Sequence, residues 1–163
     1  MATRQSGQAL AAALGRVEKV ARQGVVRSSD MQRQDRERLQ RAGWLLPLIN
    51  GWYLFGLSPD AGPGSTTLWY GHFWDFVRYY LTDRFGGDYC LSAECSLDLH
   101  TGATTIPRQV VVMTAASGAN TLSLPHSTSL LVYPDPGNLP ADPDLLDGLQ
   151  VMALPLALCQ KVF

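Results

Sequence analysis

The chain has 163 residues, 46% of them hydrophobic and 17% charged, a balance that excludes a disordered chain and builds a core in one or two domains without metal or disulfide staples. No apolar run reaches the roughly 18–20 residues that span a bilayer, and Met1 to Gln8 lacks the basic-then-apolar layout of a signal peptide; membrane and secreted proteins are excluded, and a cytoplasmic location is expected. The net charge of −1 hides a split: residues 1–43 carry nine basic and four acidic residues, net +5, and residues 44–163 carry four and ten, net −6.

Ala9 to Gln23 reads as a helix, with Leu10, Leu14, Val17, Val20 and Ala21 recurring at spacings of three and four and Gly24 as its stop. Val25-Val26-Arg27 is short and extended. Ser28 or Ser29 can cap a second helical stretch, Asp30 to Ala42, which is rich in Arg, Gln and Glu and ends at Gly43. Trp44 to Ile49 and Trp52 to Phe55 are β-type runs joined by Asn50-Gly51, the strongest short hairpin signal because both residues tolerate positive φ. Helix, short helix or turn, basic helix, hairpin is the order of a winged helix-turn-helix. In that fold the second helix of the pair enters the major groove and the hairpin wing lies along the backbone.

Leu57 to Ser65 is a Pro/Gly loop and the expected domain boundary. Thr66 to Phe85 reads as an amphipathic helix whose aromatic residues, Trp69, Tyr70, Phe73, Trp74, Phe76, Tyr79 and Tyr80, belong to a core rather than to a stacking platform for bases. A short helix capped by Ser92 runs to Leu99. Strands are expected at Gln109 to Ala115, Thr121 to Leu124, Ser129 to Tyr133 and Leu149 to Ala153, with a Pro/Asp-rich surface loop from Pro134 to Leu146. Pro155 marks the start of an apolar helix from Leu156 to Phe163, cut short within about two turns. The fold class is therefore α+β: a winged helix-turn-helix over residues 1–57, then a small mixed helix/sheet domain over residues 66–163, truncated at its C-terminal end.

Chemistry is sparse. No phosphate-binding glycine loop, nucleophile elbow, HExxH or cysteine–histidine cluster is present. Glu94 and Asp98 lie one helical turn apart near His100, an arrangement that serves local hydrogen bonding around a helix end better than acid–base work, since catalysis needs a constellation. Cys90, Cys95 and Cys159 follow neither zinc-ribbon nor CxxC spacing and read as reduced thiols, the first two as buried small hydrophobes. No catalytic residue, metal ligand or cofactor is expected. A basic head on an acidic body marks a nucleic-acid contact or, more plainly, a solvated arginine-rich helix face. On the first reading Arg27, Arg33, Arg36, Arg38 and Arg41 contact phosphates and base edges, Gln32 and Gln34 read bases, and four to six neutralised phosphates give a log–log salt slope of about −4 to −5.

Gly43 to Leu46 leading to Asn50-Gly51-Trp52-Tyr53-Leu54 is similar to the wing of AbiEi-type antitoxins. Leu91 to His100 resembles the helix of that family's second domain, and Ile106 to Val112 its Pro-containing turn and Val-rich strand. End to end, the chain resembles the N-terminal region of certain bacterial Fic-family proteins, where an AbiEi-like module precedes the catalytic domain. The Fic motif, His-Pro-Phe followed by a Gly-Asn-Gly-Arg loop, is absent. Asn50, at the wing tip, stands where relatives commonly carry Arg. The resemblance implies a DNA-binding, antitoxin-like regulatory module that is not itself an enzyme, with double-stranded DNA as partner. The alternative it implies is a protein-interaction module that regulates a Fic AMP-transferase domain, in cis or in trans, or neutralises a nucleotidyltransferase toxin without binding DNA.

Overall fold

In the computed structural model, which describes residues 2–56 and 66–161, the chain is α+β. Helix α1 spans Ala2–Val20, so it starts before Ala9 and stops before Gln23. Residues 4–8, Arg-Gln-Ser-Gly-Gln, are exposed and carry no apolar periodicity to read. It ends because Gln23 and Gly24 take φ of +49° and +79°, closing a turn in which Arg22 and Val25 exchange backbone hydrogen bonds of 2.8 and 3.0 Å. A Cβ on Gly24 would lie 2.9 Å from Cε1 of His72, so this position needs glycine for space as well as for φ. His72 Nδ1 lies 3.1 Å from the Gln23 carbonyl and 3.4 Å from Asp75 Oδ2; both accept, so Nδ1 carries the proton.

Strand β1 (Val25–Arg27), a single 3-10 turn (Ser28–Asp30), α2 (Arg33–Arg41), β2 (Leu45–Ile49) and β3 (Trp52–Phe55) follow. The expected helix from Asp30 to Ala42 is thus two pieces, broken where Met31 and Gln32 are extended. The three strands form an antiparallel sheet of order β1-β3-β2. Pro47 sits on its edge strand beside a register shift, where a missing N–H is tolerated. Alternation divides the side chains between the two faces. Val26, Tyr53 and Phe55 join Ala13, Val17, Leu39 and Leu45 in one cluster with α1 and α2. Trp52, from the intervening position, meets Phe76 edge-to-face at 5.7 Å.

Residues 57–65, the expected boundary, lie outside the described residues. The chain divides into compact units 1–76 and 77–163, so the break falls inside α3 (Thr66–Phe85). Trp69, Phe73 and Phe76 are fully buried, in keeping with the core reading, although Tyr70 is exposed.

The second unit adds β4 (Tyr89–Leu91), α4 (Ala93–His100), β5 (Gln109–Thr114), β6 (Asn120–Leu124), β7 (Thr128–Pro134), β8 (Asp144–Leu146), β9 (Leu149–Val151) and α5 (Leu154–Lys161). The sheet runs β4-β5-β7-β6, with β5 and β7 parallel and the other pairs antiparallel. Ser92 caps α4, its Oγ accepting from Cys95 N at 3.4 Å. The loop expected up to Leu146 instead ends in a strand, because Asp147-Gly148, at φ +48° and +79°, turns β8 back on β9. Arg78 Nε donates to the Asp147 carbonyl beneath that turn. No helix among the described residues is long and apolar enough to cross a membrane.

The three cysteines are free. Cys90 and Cys95 are buried and Cys159 is exposed; burial pushes the Cys90 thiol up to about 12. Native protein treated with a thiol reagent at mildly alkaline pH should therefore modify Cys159 alone, the other two following only on unfolding; rapid loss of Cys90 in the native state would contradict this packing. The β6–β7 turn holds His126 and Ser127 at φ +54° and +59°, where Thr128 N donates to Pro125 O at 3.3 Å. Ser127→Gly should raise stability by about 0.5–1 kcal/mol, read from the urea midpoint, and Ser127→Ala should give no such gain.

Candidate nucleic-acid interface

Helix α2 has nine residues, Arg33-Gln34-Asp35-Arg36-Glu37-Arg38-Leu39-Gln40-Arg41, and only Leu39 among them is apolar. An isolated helix of this length is unstable in water, so its tertiary contacts decide whether and how it is presented. Leu39 is fully buried, and Asp35, one turn before it on the same face, is 3% exposed. The Asp35 carboxylate is matched by Arg16 of α1, whose Nε and Nη2 donate to Oδ2 and Oδ1 at 2.8 and 2.7 Å. Arg38 stands 3.8 Å away on the flank. Hydrogen bonding to Arg16 holds the Asp35 carboxyl below its usual range, against the opposing effect of burial.

With Asp35 and Leu39 turned inward, the opposite side of α2 presents Arg33, Gln34, Glu37, Gln40 and Arg41, all exposed, with Arg36 and Arg38 half-buried on its flanks. Gln32 is the N-cap residue, exposed and extended, and makes no side-chain cap. Asn50 is exposed at the tip of the β2–β3 hairpin. That tip is tied to the 3-10 turn by Ser28 N donating to Gly51 O at 2.8 Å.

Of the eight residues expected to form the interface, Arg33, Gln34 and Arg41 lie on one outward face, with Gln32 at its start. The structure places several of the cations against carboxylates. Arg27 donates through Nε and Nη2 to Asp30 at 3.0 and 3.1 Å. Arg33 Nε donates to Glu37 at 2.7 Å, a contact that lowers the Glu37 pKa and raises that of Arg33. Arg38 is shared with Asp35. Sequence reasoning missed Arg16, Asp35, Glu37 and Gln40. The available signal was the i, i+4 pairing of Asp35 with Leu39, which puts a carboxylate in a core position and demands a cation.

In the group of Glu94, Asp98 and His100 both acids are exposed, His100 Nε2 lies 2.8 Å from the Met152 carbonyl, and the Asp98 backbone carbonyl accepts from Thr101 Oγ1 at 3.1 Å. Among the described residues no group of three His, Cys, Asp or Glu side chains is placed to hold a metal ion. Comparison with protein-family models, curated proteins and solved structures finds no match to the chain.

Because the folded-state pKa of Asp35 is depressed, its stabilisation is full above the unfolded carboxyl value near 4 and is lost as the pH falls through the folded value. Asp35→Ala should cost about 1–3 kcal/mol at neutral pH, with a smaller difference in acid, as urea melts at the two pH values would show. An equal cost at both would mean that the carboxylate charge contributes nothing.

Proposed function

We propose that residues 1–57 are a winged helix-turn-helix that binds double-stranded DNA. In this reading the chain is an antitoxin-like regulatory module of AbiEi type, the non-catalytic N-terminal region of a Fic-family protein, with residues 66–163 as its α+β partner domain. The observation that carries the DNA reading is the outward face of α2, made only of Arg33, Gln34, Glu37, Gln40 and Arg41 and set in position by the buried Asp35. Arg and Gln are the side chains that pair bidentately with guanine and adenine in the major groove. The element order and the β1-β3-β2 sheet, with its hairpin tip beside the turn that precedes α2, support the same reading. In this geometry α2 enters the major groove, the hairpin lies along the backbone, and Asn50 faces the phosphates as a neutral donor.

The ion pairs revise the electrostatics. Arg27, Arg33 and Arg38 already face carboxylates, so neutralising phosphates with them returns less than their number suggests. Two or three effective phosphate contacts, with Arg36 and Arg41 foremost, give a slope of log affinity against log salt of about −2 to −3. The experiment is duplex binding by the 163-residue chain at low and moderate salt, with Arg33, Arg36 and Arg41 changed together to Ala. Binding with that slope, lost in the triple variant, is expected; a flat salt response or no retention at low salt sinks the reading.

A protein-regulator reading without DNA draws on one observation of its own. Helix α5 leaves Leu154, Leu156 and Leu158 exposed at 42, 38 and 52%, and Leu154 and Leu158, one turn apart, form an apolar surface suited to a protein contact. Its partner would be a Fic or nucleotidyltransferase domain, and the discriminating measurement is whether adding the chain changes that domain's transfer rate.

A further inference from the structure

Arg33 is the first residue of α2 and Glu37 lies one turn later, joined to it by the 2.7 Å bond from Nε. Helix stability does not account for this pair. A cation at the N-terminus opposes the helix dipole, and an i, i+4 pair is more favourable with the acid on the N-terminal side, the reverse of what stands here. The side chains are 82% and 45% exposed, so the pair gains little in water. A surface built only to attract phosphates would also not carry a carboxylate at its centre, and Glu37 is the middle residue of the outward face. The cost in both respects falls on the N-terminal part of α2, the part that meets base edges when such a helix lies in the major groove.

We infer that Arg33 and Glu37 act as one base-reading unit that selects a guanine beside a cytosine in the major groove. Because Arg33 uses Nε to hold Glu37, both Nη groups remain as the fork that donates to guanine O6 and N7. Glu37, kept ionised by that same bond, accepts from the cytosine N4 amino group and repels the phosphates of any site that does not bring such a donor. The acid thus lowers non-specific affinity and the arginine is held ready at its partner, so the unit trades strength of binding for discrimination. Gln34, exposed on the same face, reads a neighbouring base pair. This inference rests on the DNA reading of α2.

The test is selection from a randomised duplex pool by the 163-residue chain, followed by affinities for the selected duplex and for versions with the guanine or the cytosine replaced. The wild type should favour the selected duplex by roughly five- to hundredfold at each of the two positions. Glu37→Gln should lose the preference at the cytosine and bind unrelated duplexes more tightly, since one negative charge is gone. The exchanged pair, Arg33→Glu with Glu37→Arg, keeps the net charge and restores the helix-favoured order. It should fold at least as stably, keep the salt dependence and lose the selected sequence. Retention of wild-type preference by the exchanged pair, or salt-dependent binding by the wild type with no preference for G·C pairs, would overturn the base-reading role while leaving DNA binding in place. No duplex retained at low salt would overturn both.

Discussion

The bidentate contact between Arg16 and Asp35 decides where the polar face of α2 points. Leu39 alone gives α2 a hydrophobic foothold, and one side chain fixes a position better than a rotation about the helix axis. Asp35, one turn earlier on the same face, removes that freedom, because its carboxylate is 3% exposed and finds two N–H donors on α1. Rotating α2 by one residue would strand a buried charge, whereas rotating a purely apolar foothold would cost only packing. The contact is therefore a specifying one: it gives modest stability for a pair whose arginine is half-exposed, and much definition to the outward side chains.

That definition matters because α2 has few unengaged cations to offer. A helix of four arginines in nine residues looks strongly basic, yet Asp35 and Glu37 sit inside it, and Arg27 arrives already joined to Asp30. Affinity from charge is thereby reduced, and what remains is arrangement: two guanidinium groups, two glutamines and a carboxylate on one surface. Hydrogen bonds of defined geometry discriminate where bare charge does not. The Ser28–Gly51 bond extends the same rigidity to the hairpin tip, so Asn50 is held by backbone rather than by its own side chain.

Elements with long or strongly punctuated signals were legible in the sequence. Thr66–Phe85 has twenty residues closed by Gly86, Asn50-Gly51 marks its hairpin, and Ser92 announces α4. What escaped was short or paired across distance. Three-residue strands such as Tyr89–Leu91 and Asp144–Leu146 have too little length to show alternation, although Asp147-Gly148 was a hairpin signal as clear as the one at Asn50. The division inside α3 was hidden because its buried residues, from Trp69 through Leu81, wrap round the helix rather than following one stripe. For the candidate site, the basic character of α2 could be read from composition, but charge counts treat every arginine alike. Only the fold tells Arg38, spent on a buried acid, from Arg41 on the open face.

The charge split acquires a physical meaning once the units are known. Residues 1–76 carry nine basic and six acidic side chains, and residues 77–163 carry four and eight. A unit with net negative charge is repelled by a phosphate backbone, so on the proposed DNA reading electrostatics favours the first unit for the contact. The second unit offers something different. On α4, Ala93 and Leu97 join the cluster that holds Ala157 of α5, and Glu94 and Asp98 are the exposed positions next to them. The acidic positions of α4 therefore adjoin the packing against α5, the helix that leaves three leucines exposed. The first unit presents on α2 a charged face tuned by ion pairs, and the second is net acidic with exposed leucines on α5, so the two surfaces suit different ligands. DNA on the first unit and protein on the second are compatible occupants, and the two readings of function compete only if α2 is asked to serve both.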